Sequence, residues 1–407
     1  MRIREDHTFA GASWAPYMSQ SSFTLSLVSG VKRVYVQYLD AADNPSAIVW
    51  AKITLTSGTV SPGPTYISGV LEGQIAWTLA GAPYIVIADA LVDGQSSLTI
   101  ESGVEVRFAT GTTLYVDGAL RAEGTEDNEV VFTSDKASPA AGDWQGIQIR
   151  DSSDDSRTLL SHVRVQYAQG GINISSASPT VSYSTIVSNT TGIGCSWWGS
   201  GPLITNNLIA YNSTGIDCRP SEARVISNTV RNNGTGVKSF GTIRNNTITQ
   251  NTYGVDLSSG GGASITEISG NTIAANARAG LRIFGYPVWS SQPISGNSIT
   301  NNGVSGTSAE YSGIYLKDFQ GTFSNNTITG NGNGIWNDTG SYGANLTITN
   351  NDIYGNNGYD LKHLRGETLP ATNNYWGTTD AEVIATKIYD YYDNFNYGKV
   401  NYSTFAP

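Results

Sequence analysis

Between Ser184 and Trp376 one short phrase of residues recurs, and it constrains the fold more than anything else in the chain. It reads as an Asn, an aliphatic residue two places on, a second Asn five places after the first, then Gly and an aliphatic residue. The opening position is held by Ser184, Asn207, Asn228, Asn246, Asn271, Asn297, Asn326, Asn351 and Asn374, at intervals of roughly 18 to 29 residues, the range of a stacked repeat. The second column, Asn189, Asn212, Asn233, Asn251, Asn276, Asn302, Asn331 and Asn356, has no gap. Gly192-Ile193, Gly215-Ile216, Gly236-Val237, Gly254-Val255, Gly280-Leu281, Gly313-Ile314 and Gly334-Ile335 follow, the sixth copy carrying an insertion around Gly303 to Tyr311.

Each copy offers strand-sized apolar pieces separated by Asn or Asn-Gly corners, residue types that tolerate left-handed backbone at low cost. Helical periodicity is missing. Three short strands and three corners in about 23 residues describe one turn of a parallel β-helix, each turn pairing with the next at about 4.8 Å. The spacing therefore predicts about a dozen turns with Asn207, Asn228, Asn246, Asn271, Asn297, Asn326 and Asn351 stacked in one hydrogen-bonded ladder. Propellers and leucine-rich horseshoes need longer strands or helical segments in every unit.

The formal net charge of −10 argues against nucleic acid or an anionic membrane surface as partner. No run of 18 apolar residues suggests a membrane span. The chain opens on a strand-like alternation without a signal peptide, and its Asn/Thr/Ser-rich repeats favour a mature extracellular or cell-surface protein over a cytosolic one. Cys195 and Cys218 each lie three places after a repeat Gly, which puts them in one inward column of adjacent turns. That spacing suits either a disulfide or a stacked pair of buried thiols.

Residues 1–57 read as antiparallel strands, with alternation over Val34 to Tyr38 and Ile48 to Leu55 around the turn Asp40 to Asn44. Trp14-Ala15-Pro16-Tyr17, Lys32 to Tyr38 and Asp40 to Asn44 resemble the second half of bacterial immunoglobulin-like surface repeats. The upstream strands of that family have no counterpart here, so one sheet is expected to keep an apolar face and an open edge. Residues 58–91 read as a linker followed by an apolar cap, 92–376 as the coil and 377–407 as its closing cap.

The entry stretches Leu98 to Phe108, Leu114 to Leu120, Val130 to Asp135 and Asp143 to Ile147, and the closing Asn373-Asn374-Tyr375-Trp376-Gly377, resemble secreted right-handed parallel β-helix proteins of the pectate-lyase-like superfamily. The resemblance implies an all-β, right-handed solenoid. It leaves activity open, because that superfamily hosts lyases, hydrolases, adhesins and structural spikes. Thr379 with Glu382 is placed to form a capping box on a short closing helix.

Hydrolases of that superfamily carry clustered Asp residues with Gly-His-Gly and Arg-x-Lys, and this chain has neither motif. Its three His, His7, His162 and His363, lie beside no nucleophile. A lyase needs a Lys or Arg base beside calcium-binding carboxylates, and the densest acidic cluster, Asp151, Asp154 and Asp155, reads first as a polar loop and only second as a calcium site. The residue two places after each repeat Gly should point outward. That stripe runs Gly194, Asp217, Lys238, Asp256, Arg282, Tyr315, Trp336, either an ion-pair ladder or a glycan-binding strip in which Tyr315 and Trp336 stack on sugars. Insertions leaving one corner are aromatic, with Trp197, Trp198, Phe284, Tyr286, Trp289, Phe319 and Tyr342, either a surface for glycan or for another copy of the chain, or hydrophobic lids over the coil. Sequons at Asn173, Asn189, Asn212 and Asn345 follow from the composition.

The sequence thus points to a structural or adhesive β-helix of the cell surface, able to self-associate into filaments, using no cofactor. The alternatives are a polysaccharide lyase and a glycan-binding module without catalysis.

Overall fold

The computed structural model describes residues 1–4, 9, 12–19, 23, 30–55, 64–196, 201–219, 221–259, 263–285, 288–338, 340 and 345–404. Short parallel strands wind into a solenoid of about 13 turns. One turn illustrates the rest. Leu203–Thr205, Leu208–Ala210 and Thr214–Cys218 lie on three successive faces, and each pairs in parallel with its counterpart one turn on, Arg224–Ile226, Thr229–Arg231 and Thr235–Ser239. The middle residue of each short strand points inward. On the second face Ile209, Val230, Ile248, Ile273, Ile299, Ile328 and Ile353 therefore stack in register, all fully buried. Each such side chain contributes about 1.5–3 kcal/mol by leaving water.

The two Asn columns sit at the corners flanking that face. Asn246 is typical: its backbone N–H donates to Asn271 Oδ1 at 2.9 Å, and its Nδ2 donates to the same oxygen at 3.0 Å, to Val225 O at 2.9 Å and to Arg244 O at 3.1 Å. One side chain thus ties three turns together and gives the Arg244 carbonyl, which also accepts from Ser227 N at 3.0 Å, a second donor. The left-handed conformation is carried by the residue before each ladder Asn, such as Asn245 (φ 56°) or Gln250 (φ 58°), and not by the ladder Asn itself. The Gly column has a steric origin: a Cβ on Gly236 would lie 2.5 Å from Gly254 O and 3.1 Å from Asn251 Nδ2.

Three expectations need correction. The apolar cap read within residues 58–91 is not separate from the coil, because Thr65–Leu71 already pairs in parallel with Tyr84–Val92, and Gln74–Trp77 with Ser97–Ile100; the winding starts upstream of Val92. In these entry turns large rings fill the interior, Phe108 stacking on Trp144 at 3.9 Å. At the other end the helix Ala381–Thr386 is capped by Asp380, whose carboxylate accepts from the N–H groups of Glu382 and Val383, one residue after the Thr379 that the motif suggested. Finally, Phe319 is core, packed on Phe323 at 5.4 Å.

Upstream, Arg2–Arg4, Gly30–Gln37 and Val49–Leu55 form a three-stranded antiparallel sheet in that order. Asp40 closes its turn by accepting from the N–H groups of Ala42 and Asn44. Val49, Trp50 and Ile53 of the edge strand are about half exposed. Arg33 reaches the coil, 2.5 Å from Asp127.

Candidate functional site

The outward stripe exists as read: Gly194 pairs with Asp217 and Asp217 with Lys238, while Asp256, Arg282, Tyr315 and Trp336 occupy one row continued by Lys362 and Tyr389. What the side chains do there differs from a simple ladder. Asp217 binds Arg219, the residue just past the end of its own strand, with both contacts at 3.0 Å, and not Lys238 of the next turn. Asp256, nearly buried, grips Arg282 through contacts of 2.8 and 3.1 Å, and Glu310 from the insertion adds a third carboxylate contact at 3.3 Å. Tyr253 lies under the guanidinium at 4.5 Å. Burial alone would ease the Arg282 proton off, but the two carboxylates and Tyr253 outweigh it and hold it more tightly than usual.

The aromatic end of the stripe is not an open platform. Tyr315 is 6 % exposed and donates its hydroxyl to Asp338 at 3.0 Å, an environment that pushes its own ionisation well up. Trp336 carries the ammonium of Lys362 on its ring at 4.2 Å, and Tyr389 meets the same cation at 4.5 Å. Burial lowers the Lys362 pKa. Trp289 is exposed but lies on a strand that pairs with Ala263–Ile265 and Phe319–Ser324, off the stripe. Phe284 packs towards Tyr315, with centroids 6.1 Å apart. Trp197, Trp198, Tyr286 and Tyr342 lie outside the described residues.

The open space on this face is earlier in the coil. A groove of about 570 Å³ crosses the turns from Thr113 to Asp217, above the notch that Gly194 leaves in the row. Its walls carry the amides of Gln145, Gln148, Gln169 and Asn173, with Tyr115 at one rim and Cys195 in the floor. Cys195 is joined to Cys218 of the next turn in a disulfide. Single-letter motifs could not have found the groove, since its Gln and Asn residues fall in turns that precede the Asn repeats. The signal was present only as Gln148, Asn173 and Gly194 sharing one register.

The acidic cluster is a loop. Asp154 accepts from Ser156 and Arg157, which lower its pKa to about 2, and Asp155 accepts from Ser178 N at 2.7 Å. Among the described residues no three His, Cys, Asp or Glu side chains are placed to hold a metal ion. His363 is buried between Asn337 and the Glu367 carbonyl, and burial lowers its pKa. The sequons at Asn189 and Asn212 lie in the buried ladder.

No helix among the described residues is long and apolar enough to cross a membrane. No curated protein and no solved structure matches the chain. The family model of a pectate-lyase like beta helix domain matches residues 69–186. That of a right handed beta helix region matches residues 140–266 and 238–375, more than half of the 407 residues, and the chain accordingly belongs to the right-handed β-helix family.

Proposed function

We propose that the protein is an extracellular, adhesive β-helix that holds a glycan chain on its stripe face without cleaving it. The observation that carries this reading is the amide-lined groove over Gly194, set on strands whose backbones are fixed on both sides by neighbouring turns. A backbone held in this way lowers the ordering cost of binding. The disulfide between adjacent turns suits an oxidising, extracytoplasmic compartment. A lyase reading draws no support from the best-placed cation, because a base must release its proton and Arg282 holds its own between Asp256 and Glu310. Incubation with a panel of polysaccharides, followed for retention of the protein and for unsaturated or reducing ends, tests the proposal. Retention without new ends is expected, and product formation would reverse the assignment.

A second reading, self-association into filaments, rests on the N-terminal sheet. Among the described residues its Val49–Leu55 strand pairs on one side only, and it exposes Trp50 and Ile53. An edge and an apolar surface of this sort invite a strand or surface from another chain, and a contact that does not close on itself propagates. Light scattering and electron microscopy should show concentration-dependent elongation that Trp50→Ser together with Ile53→Lys abolishes; a clean monomer at every concentration removes the reading.

A further inference from the structure

We infer that the groove over Gly194 selects an uncharged glycan and rejects uronate-bearing chains. The inference rests on the glycan reading above and adds the class of ligand.

The charged groups at the ends of the groove are already paired. Two ion pairs border the groove, and both are internally closed. Asp217 at one end takes Nε and Nη2 of Arg219 at 3.0 Å, and the third nitrogen, Nη1, donates to Ser258 O at 3.4 Å. At the other end Arg150 makes a paired contact with Asp117, at 2.6 and 2.5 Å, and rests its guanidinium over Tyr115 at 4.8 Å. Between them the walls hold amides and hydroxyls, with no Lys or Arg among the described lining residues. A uronate carboxylate entering here would give up water, meet no cation among the described lining residues and face Asp217, the unpaired Lys238 lying one turn beyond Asp217 and outside the lining, so that entry costs more than it returns. Sugar hydroxyls face the opposite situation. Each donates and accepts, and so does each primary amide.

The donors and acceptors are also held in place. Gln148 Nε2 donates to Ser175 Oγ at 3.4 Å, and Ser175 Oγ lies 2.7 Å from Ser196 Oγ, a relay crossing three turns. Asn173 donates to Gly170 O at 3.0 Å, which fixes the amide and leaves its oxygen as an acceptor beside Gly194. A Cβ at position 194 would lie 3.2 Å from that oxygen. The groove volume, about 570 Å³, falls inside the ~300–1,000 Å³ of small-ligand sites, so it grips a short stretch of a chain and not its whole length.

The test uses the full chain and calorimetry with hexamers of matched length: cellohexaose, xylohexaose and mannohexaose against oligogalacturonate and oligomannuronate. At least one neutral hexamer should bind about tenfold or more tightly than either uronate, and Gln148→Ala or the exposed Gln145→Ala and Gln169→Ala should weaken it about tenfold without moving the melting temperature. Tight uronate binding that these substitutions weaken overturns the neutral assignment and leaves the glycan reading standing. Binding of no hexamer of either class overturns both.

Discussion

The solenoid solves the same problem twice. In the entry turns, Thr65 to about Ser182, corners vary, and the interior is filled by rings such as Trp144, Phe108 and Phe132, all fully buried. From Ser184 to Asn374 the second face is a plain Ile/Val stack, and the corners beside it are closed by two continuous Asn ladders. The junction is visible at Ser184, whose Oγ accepts from Val163 N, and at Asn189, whose Oδ1 accepts from Ala168 N. Upstream of these residues the corners have no stacked side-chain amides. Where packing is irregular, stability sits in a few large side chains; where it is periodic, it is spread over many equivalent small ones.

This contrast sets the order of the expected effects. Trp144→Ala removes a fully buried ring stacked on Phe108, and its indole N–H leaves the Gln166 carbonyl that it reaches at 3.0 Å. It should cost about 3–5 kcal/mol, read by chemical or thermal melts. Asn246→Ala leaves the Val225 and Arg244 carbonyls and the two donors of Asn228 short of a partner, and should cost about 2–3 kcal/mol. If Asn246→Ala proved the costlier of the two, the ladder would dominate the coil and the comparison would invert.

The second ladder ends on an acid, and this offers a sharper test. Asn356 donates through its backbone and its side chain to Asp360 Oδ1, at 3.2 and 2.7 Å. Burial outweighs those bonds and the nearby Lys387, raising the Asp360 pKa. The folded state therefore holds this proton to a higher pH than the unfolded chain does. The group's contribution is complete below the unfolded value and is lost as pH rises through the folded one. Asp360→Asn keeps an acceptor for Asn356, removes the buried charge, and should stabilise the coil by about 1 kcal/mol near neutral pH while flattening that slope. An unchanged pH dependence of the melting temperature would show that Asp360 is not its source. The smallest effect is expected from Lys238→Ala on the outward stripe, below about 0.5 kcal/mol.

Most of the coil was legible because a periodic backbone turns a one-dimensional spacing into columns. Once Asn207, Asn228 and Asn246 stand one turn apart, their amides meet, and the same register places Cys195 beside Cys218 and Asp217 beside Lys238. The entry turns were harder, since their strands between Thr65 and Val92 lack the repeated phrase and announce no corner. The candidate site was the least legible part. Tyr315 and Trp336 were placed on the right row, yet one is buried and the other is covered by Lys362.

By itself, then, the sequence determined the repeat, the inward aliphatic columns and the ladders, because each follows from spacing alone once the turns pair in register. Only the tertiary structure decided what the outward side chains do. Their partners come from outside the repeat: Arg219, in the turn just past the strand, takes Asp217 from Lys238, and an insertion carries Glu310 onto Arg282. The groove over Gly194 arises the same way, from a missing side chain in one turn and amides in the two before it. Backbone pairing is periodic and cooperative, whereas side-chain pairing goes to whichever partner the local geometry brings within about 3 Å.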